Sequence, residues 1–508
     1  MSAFHTIRFN RYRWCRRGPL ANASVVGFVV LLLTIVIAPL EAQEPTALEA
    51  ALAIEKALVD AVARAENSVV AIARYRNDRP TAPGGPFGLG PGRAGKEDAP
   101  NEFATGVIIG RQGYILTNYH VLGDPAENTY KVWVKRRPFQ AVSVMTVDQV
   151  KAGDPWTDLA VLKIEADDLE PITFGDTKNL KKCQIVIALG NPYNIARDGD
   201  VSVSWGVISN VGRRAPASPD GFRPGSGRET LYHYGGLIQT DAKLNLGTSG
   251  GALINLKGEM IGLTTALGAK EGYEKSIGFA IPVDDVFLRT IETLKTGRRA
   301  EFGFLGVSPT NLGDAMRRNG QHGALVSRVV PGTPAWTAKL KDGDVITHVN
   351  GNRVYDRDML MRELGGQSVG ATIPITVERG VELGERGRIV HISAKLSKKH
   401  IPSSRPAFSQ IEDPLWRGMR VDYATALPPQ ILERSLQGGV PDGSLAAVDV
   451  QPDSPSWKAG LRTGNVFTHV DDKRVTTPEE FFSAVAAKSG DVRLKVPSGT
   501  PETITVSP

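Results

Sequence analysis

The chain has 508 residues, which is enough for about three or four domains. Charged residues make up 22% and hydrophobic residues 41%, so a largely disordered protein is excluded. Two cysteines in this length exclude a disulfide scaffold and a cysteine-rich metal site. The formal net charge of +6 points to an acidic partner only if the charges lie in the folded part.

The N-terminal segment is typical of an export signal. Five arginines precede Glu41, the first acidic residue, and an apolar run covers Ala23–Leu40. This pattern predicts a secretory signal peptide over residues 1–42; the alternative is an uncleaved signal anchor, because an apolar run of about 18 residues nearly spans a bilayer. Loss of the signal lowers the net charge to +2 and leaves Cys183 as the single cysteine. No basic stripe for nucleic acid then remains.

The next 250 residues predict one helix followed by many short strands. Residues 46–65 are rich in alanine, with larger apolar residues at helical spacing, and Ser68–Ile72 predicts the first strand. From Thr105 to about Pro282, short apolar runs are separated by Gly, Asn and Asp without helices between them, which predicts an all-β barrel or sandwich. The sequence also predicts two Gly- and Pro-rich loops and one closing helix, at residues 78–100, 212–236 and 282–297 respectively.

The C-terminal part contains an internal repeat. Val329–Trp336 recurs as Val450–Trp457, and the register continues through a Thr-His-Val segment in both copies. Because the period is too long for a solenoid, the repeat predicts two folded domains. The paired histidines, His348 and His469, occupy the same strand position in separate domains, so we expect them to pack rather than bind a metal. The expected domain bounds are 43–299, 300–397 and 415–508, with a polar, proline-containing linker at 398–414.

The segment Gly247–Gly251, with the sequence GTSGG, contains a candidate nucleophile. It fits the G-x-S-x-G elbow of α/β-hydrolases, and it also fits a tight turn without chemistry. An elbow leads into a helix, whereas Ala252–Gly262 predicts a strand, a Lys-Gly turn and a second strand. The elbow is therefore excluded.

Two upstream residues complete a different arrangement. His120 follows the apolar strand at Tyr114–Thr117, and Asp158 precedes the apolar run Leu159–Leu162. Alone, each is more typical of a structural residue. Together with Ser249, in an all-β segment, they match the chymotrypsin-type triad in order and spacing.

Several segments together resemble the HtrA/Deg family of serine endoproteases, and the repeat resembles the PDZ domains of that family. The arrangement of export signal, protease and two PDZ domains is similar to the DegP/DegQ type. The resemblance implies a mainly β protein, with a chymotrypsin-like double β-barrel protease domain followed by two α+β PDZ domains. The matching segments are Gly113–Val121, Thr157–Ile164, Gly190–Pro192, Ile238–Ala242, Gly247–Gly251 and Gly278–Pro282.

The resemblance also implies roles for individual residues. Ser249 would be the nucleophile, His120 the general base, and Asp158 the residue that orients the imidazole. The backbone N–H groups of Gly247 and Ser249 would form the oxyanion hole.

Further expectations concern the substrate pocket and the loops. Leu244 would line the S1 pocket and favour cleavage after small aliphatic residues. Thr248 stands where the family usually has Asn or Asp, which leaves the preorganisation of the loop open. The loops 78–100 and 212–236 would regulate access to the active site.

The PDZ domains would bind C-terminal peptides as an added strand, with the carboxylate held by backbone N–H groups. Lys339 replaces a glycine that the second copy keeps at Gly460. For each copy, the alternative is a domain that only sets spacing between subunits. The expected binding residues are Phe304, Leu305, Gly306 and Val307 in the first copy, and Arg417, Gly418, Met419, Arg420 and Val421 in the second.

The resemblance implies an ATP-independent serine endoprotease of the periplasm that degrades unfolded or misfolded exported proteins during stress. It would need no cofactor or metal and would form a homotrimer or a larger assembly of trimers. Chaperone activity could accompany proteolysis. Two alternatives are a chaperone or scaffold that does not cleave, and a membrane-tethered regulatory protease with one signalling substrate.

Overall fold

The computed structural model of the protein describes most of the chain beyond the predicted signal. The predicted signal and the loop at 78–100 lie outside the described residues, as does most of the loop at 212–236. The described residues are 46–76, 102–134, 137–141, 152–191, 200–215, 229–245, 247–265, 277–402, 407–436, 441, 443–497 and 502–508.

Helix α1 (Ala47–Ala65) confirms the predicted N-terminal helix. A reciprocal cap begins it: the Thr46 hydroxyl accepts from the Glu49 N–H at 3.2 Å, and Glu49 Oε2 accepts from the Thr46 N–H at 2.7 Å. Near the other end, Ala61 and Ala65 are buried in the core of the residues that follow.

An antiparallel N-terminal sheet comes next, and its core consists mainly of β-branched and aromatic residues. Its seven local strands are β1 (Val69–Arg76), β2 (Glu102–Gly110), β3 (Tyr114–Asn118), β4 (Asn128–Val134), β5 (Arg137–Ala141), β6 (Ala152–Asp154) and β7 (Leu159–Lys163). They lie in the order β6-β7-β3-β2-β1-β4-β5. The prediction of strands without helices is wrong in one detail, because a short helix α2 (Tyr119–Leu122) follows β3.

A closed C-terminal barrel forms the other half of this region, in the order β10-β13-β12-β11-β8-β9. Its strands are β8 (Ile185–Gly190), β9 (Ser202–Arg213), β10 (Leu237–Thr240), β11 (Ala252–Ile254), β12 (Met260–Thr265) and β13 (Gly278–Pro282). Helix α3 (Asp285–Lys295) confirms the predicted closing helix, and Phe287, Ile291 and Leu294 bury it in a core shared by the sheet and the barrel. 3-10 turns lie at Glu66–Ser68, Leu231–Tyr234 and Ala424–Ala426.

The first repeat is a sheet ordered β15-β16-β17-β19-β20, with a small β14-β21 pair beside it. Its strands are β14 (Gly303–Phe304), β15 (Val307–Asn311), β16 (Ala324–Val329), β17 (Val345–Val349), β18 (Asn352–Arg353), β19 (Thr372–Arg379), β20 (Arg388–Lys395) and β21 (Ser397–Lys398). Its helices are α4 (Asp314–Arg318), α5 (Pro334–Thr337) and α6 (Arg357–Gly365).

The segment between the repeats contains strand β22 (Phe408–Ser409), which joins the outer edge of the N-terminal sheet beside β6. This segment was expected to be a linker. Within it, the main chain of β22 pairs with a strand about 250 residues away in the sequence.

The second repeat repeats the helix-and-sheet plan around its own apolar core. Its strands are β23 (Leu415–Trp416), β24 (Met419–Tyr423), β25 (Leu445–Val450), β26 (Val466–Phe467), β27 (His469–Val470), β28 (Lys473–Arg474), β29 (Val492–Lys495) and β30 (Thr503–Val506). They form two sheets, β23-β24-β25-β26 and β28-β27-β29-β30. Its helices are α7 (Pro429–Leu436), α8 (Pro455–Lys458) and α9 (Pro478–Val485).

Candidate active site

His120 and Asp158 meet because β3 and β7 are neighbouring strands, with Asn118 paired to Leu159. His120 Nδ1 lies 2.8 Å from Asp158 Oδ2 and 3.0 Å from Oδ1, and the His120 N–H donates to Oδ1 at 3.0 Å. A carboxylate oxygen in this contact accepts, so the geometry favours the tautomer in which Nδ1 donates and Nε2 is the acceptor of the ring. This is the tautomer that a general base requires.

Asp158 occupies a strained and buried turn between β6 and β7. Its φ is +56°, and its exposed fraction is 2%. Its carbonyl accepts from the Tyr119 N–H at 3.0 Å and from Asn118 Nδ2 at 3.2 Å. A left-handed backbone at a non-glycine residue costs free energy and is often found at functional sites.

The same turn contains a second buried carboxylate, which the sequence analysis did not identify. Asp154 Oδ2 accepts from the N–H and the hydroxyl of Thr157, at 2.8 and 2.5 Å. Burial raises the pKa of Asp154 to about 6, although the bonds from Thr157 oppose the shift. The pattern Asp-x-x-Thr was the available signal, since an Asp side chain often closes a turn in this way.

Trp156 connects this turn to the first repeat. The side chain is 1% exposed, and its Nε1–H donates to the Gly365 carbonyl, at the end of α6, at 2.9 Å. The Trp156 carbonyl accepts from the Leu231 N–H at 2.8 Å. The position of Asp158 is therefore tied both to the barrel and to the first repeat.

Ser249 lies in the turn between β10 and β11. Gly247 and Gly250 adopt φ values of +94° and +84°. A Cβ atom on Gly250 would lie 2.1 Å from the Thr105 carbonyl oxygen, and one on Gly251 would lie 2.3 Å from that of Leu189. Glycine is needed here because the chain turns sharply against two strands.

Thr105, fully buried in β2, links this turn to the N-terminal sheet. Its hydroxyl donates to the Gly247 carbonyl at 2.7 Å and accepts from the Asn191 N–H at 2.9 Å. Its N–H donates to the Ser249 carbonyl at 3.0 Å. The sequence analysis missed this residue, because the only signal was a single polar side chain within an apolar strand.

The serine turn is also close to Asp158. The Gly250 N–H donates to the Thr264 carbonyl at 2.9 Å, and the next residue, Thr265, has its hydroxyl 3.4 Å from Asp158 Oδ2. Among the hydrogen bonds of the described residues, none joins Ser249 to His120. In a substrate-free site this contact is often long and shortens only when substrate binds.

Thr248 belongs to the serine turn, and Leu244 shortly precedes it. A cavity of about 450 Å³ is lined by Leu244 and Thr248 together with Gly190, Val203 and Trp205. Thr248 fixes its own turn, because its hydroxyl donates to the Asn245 carbonyl at 2.7 Å. This bond is a physical reason why the turn tolerates threonine.

The two candidate peptide loops differ between the repeats. Gly306 and Gly418 occupy equivalent positions, with φ values of +91° and +77°. Beyond Gly306, β15 is the exposed edge of its sheet, whereas β24 after Gly418 has β23 on its outer side. Among the described residues, the strand after this glycine has an unpaired outer edge only in the first copy.

The histidine and membrane expectations can be checked only in the described part of the chain. There, no group of three or more His, Cys, Asp or Glu residues could hold a metal ion. His348 and His469 instead contact the preceding threonine hydroxyls, at 3.1 and 2.8 Å. No described helix is long and apolar enough to cross a membrane.

These features define a class: a chymotrypsin-like serine protease fold followed by two PDZ domains. Residues 104–263 match the trypsin-like peptidase domain family, and residues 303–385 and 447–496 each match a PDZ domain family. The chain belongs to the HtrA/Deg family of serine endoproteases.

Individual relatives support this assignment. The chain is 30% identical to the periplasmic serine endoprotease DegP of Salmonella typhimurium over 426 residues, which is 82% of this chain and 78% of the relative. It is also 30% identical to a probable periplasmic DegP-like serine endoprotease of Halomonas elongata over 413 residues, or 80% and 78%. A solved HtrA-type protease, AlgW with a tripeptide, superposes with a TM-score of 0.50 at 27% identity, covering 68% of this chain and 99% of that one.

Proposed function

We propose that the protein is an exported, ATP-independent endoprotease in which Ser249, His120 and Asp158 form the catalytic triad. The observation that carries the proposal is the His120–Asp158 pair. The buried carboxylate lies 2.8 Å from Nδ1, which favours the tautomer in which Nε2 is the proton-accepting atom of the ring. The glycine-bounded turn of Ser249 is attached to the same sheet through Thr105 of β2.

In this mechanism, Ser249 Oγ attacks the scissile carbonyl while His120 Nε2 takes its proton. Asp158 stabilises the imidazolium that forms, and the N–H groups of Gly247 and Ser249 stabilise the oxyanion. His120 then passes the proton to the leaving amine. Water, activated by the same imidazole, hydrolyses the acyl-enzyme and restores the serine.

Thr105 is a positioning residue in this proposal. Its hydroxyl donates to the Gly247 carbonyl, which fixes the orientation of the peptide group between Gly247 and Thr248. Because the N–H groups of the oxyanion hole work only when they are aimed before the reaction, a fixed turn favours catalysis.

We further propose a periplasmic site of action on unfolded or misfolded proteins. Named relatives are periplasmic serine endoproteases, which supports export. The open edge of β15 supports capture of substrate C-termini by the first PDZ domain. Assembly from trimers, accompanying chaperone activity, Leu244 in the S1 pocket, and the domain bounds 43–299, 300–397 and 415–508 belong to the same proposal.

The decisive experiment is degradation of casein by the purified full-length mature protein, beside Ser249→Ala. Ser209→Ala serves as the matched control, since Ser209 is another half-buried serine of the C-terminal barrel. We expect cleavage by the wild type and by Ser209→Ala, and none by Ser249→Ala. Equal cleavage by all three would refute the triad.

Two further outcomes distinguish the alternatives. A wild type that suppresses aggregation of an unfolded protein without cutting it would favour the non-cleaving chaperone. N-terminal sequencing of the protein recovered from cells reports whether residues 1–42 are removed, and a retained leader would favour the membrane-tethered protease.

A further inference from the structure

The segment between the two PDZ domains lies on the protease. Strand β22 extends the N-terminal sheet, with Phe408 opposite Gly153 and Ser409 opposite Ala152. Two more contacts hold the residues that follow: the Ile411 N–H donates to the Gly297 carbonyl at 3.0 Å, and Asp413 pairs with Arg299. Residues 407–413 thus run along the protease before the chain enters the second PDZ domain.

Phe408 is the apolar anchor of this segment. Its ring stacks on that of Tyr119 at a centroid distance of 5.8 Å and an interplanar angle of 24°. A Cβ atom on Gly153 would lie 2.4 Å from Phe408 Cζ, so the ring fills the space that this glycine leaves. Half-buried Phe408 packs against the core of the N-terminal sheet.

Tyr119 and Gly153, which Phe408 contacts, are each connected to a residue of the proposed triad. Tyr119 precedes His120, and its N–H donates to the Asp158 carbonyl at 3.0 Å. Gly153 belongs to β6, whose last residue, Asp154, bonds Thr157 next to Asp158. One aromatic ring therefore supports the chain on either side of the His120–Asp158 pair.

Strand β6 is short, which explains why its pairing with β22 matters. It has three residues and, without β22, would be the unpaired outer strand of its sheet. So short an edge strand opens easily unless something covers it. The turn after it is strained at Asp158, and such a conformation persists only when its surroundings hold it.

We propose that residues 407–413 are a brace for the proteolytic site and that Phe408 is a positioning residue for His120 and Asp158. The inference rests on the proposed triad. Loss of the ring lets helix α2 and the β6–β7 turn move relative to Ser249. A misplacement of about 1 Å is enough to slow catalysis by roughly 100-fold.

The test uses the full-length protein and a fluorophosphonate probe that labels an activated serine. The variants are Phe408→Ala, Phe408→Leu and Gly153→Ala, with Ile411→Ala as the matched control because that side chain is exposed. We expect the labelling rate and kcat on a casein-derived peptide to fall about tenfold or more in Phe408→Ala, with KM unchanged. Phe408→Leu should recover most of the rate, and Ile411→Ala should match the wild type.

Gly153→Ala is an independent test, because the added methyl group displaces the Phe408 ring without changing the ring itself. It should slow labelling about tenfold alone and cause no further loss in the Phe408→Ala background, because the space is then empty. If Phe408→Ala loses its native circular dichroism spectrum, Phe408→Leu and Gly153→Ala decide the question.

The outcomes separate the two proposals. A wild type inert towards both probe and casein refutes the triad. An active wild type with equally active Phe408→Ala and Gly153→Ala refutes the brace alone. Additive losses in the double variant would also overturn it, because they would show that the two residues act separately.

Discussion

The two PDZ domains share a framework and differ at the edge where a peptide would bind. In both, a glycine carbonyl accepts an N–H across the loop: Val330 to Gly306 at 2.9 Å, and Gln451 to Gly418 at 2.8 Å. In the first domain no described strand pairs with the outer side of β15, whereas in the second β24 is paired with β23. The two domains thus share the loop, but they differ in whether the strand after the loop can pair with a peptide.

The residue before each glycine explains the difference. Leu305 in the first domain is buried in the core, and its counterpart Arg417 has a φ of +49°. With Gly418 also at positive φ, the chain forms a two-residue hairpin that brings β23 back onto β24. The Arg417 guanidinium donates to the carbonyls of Val506 and Gly490, which holds the hairpin in place.

Trp416 completes the closure of the second domain. It is 9% exposed and packs edge-on against Phe481 of α9, with ring centroids 5.4 Å apart. A peptide would have to displace β23 before pairing with β24. We therefore expect peptide binding at Phe304–Val307 and not at Gly418–Val421, where the domain would serve for spacing.

The largest expected effect is on peptide binding. Full-length Ser249→Ala should bind one fluorescent decapeptide with a free C-terminal valine per chain. Gly306→Val should weaken binding about 100-fold, because a Cβ there would lie 2.1 Å from the Thr333 hydroxyl oxygen. Titration by fluorescence anisotropy measures both quantities.

Gly418→Val is the matched control, since a Cβ there would lie 2.2 Å from Ser454 Cβ. It disturbs the second loop as severely and should leave the affinity unchanged. Two binding sites per chain, or equal losses in both variants, would contradict the difference between the domains.

The proposed triad could be named from the sequence because the order and spacing of its motifs can be read along the chain. His120 and Asp158 lie within two residues of β3 and β7, which the apolar pattern reveals, and Ser249 lies in the glycine-rich turn before β11.

Contacts between distant segments could not be predicted in the same way. Thr105, Trp156 and Phe408 act through partners 75 to 289 residues away, and nothing in their local sequence specifies those partners. The pairing of β23 with β24 could not be predicted for a different reason: β23 has two residues, which are too few to show a strand pattern.

The next comparison concerns the aromatic residue two positions before each loop glycine, Phe304 in the first domain and Trp416 in the second. Trp416→Ala should lower the free energy of unfolding of the second domain by about 4 kcal/mol, because it empties a buried aromatic site. The equivalent Phe304→Ala, at a half-buried position, should cost the first domain only about 1 kcal/mol. Urea unfolding of the full chain, followed by limited proteolysis of each domain, measures both. Equal losses of stability would show that Trp416 does not hold β23 against β24.

A buried ion pair distinguishes the domains further. Asp344, fully buried, accepts from Arg379 Nε and Nη2 at 2.7 and 2.8 Å, and its counterpart in the second domain is Asn465. Arg379→Gln should destabilise the first domain by about 3 kcal/mol, because it leaves a buried carboxylate without its cation.

Asp344→Asn copies the second domain and should cost about 1 kcal/mol, because the amide oxygen still accepts from the Lys341 N–H as Asn465 does from Arg462. Urea unfolding compares the two variants. A larger loss for Asp344→Asn than for Arg379→Gln would mean that the charge itself is needed.

The smallest effect is at a backbone position that both domains share. Lys339 has a φ of +63°, and its counterpart Gly460 has a φ of +92°. A left-handed lysine is strained, while glycine loses more entropy on folding, so Lys339→Gly should stabilise the first domain by about 0.5–1 kcal/mol. The Lys339 carbonyl, which accepts from Arg379 Nη2 at 3.1 Å, is kept in this variant.

Gly460→Lys should destabilise the second domain by a similar amount through the backbone alone, since nothing lies within 4 Å of a Cβ there. Thermal unfolding measures both. A loss of stability in Lys339→Gly would show that the lysine side chain contributes more than its backbone strain costs.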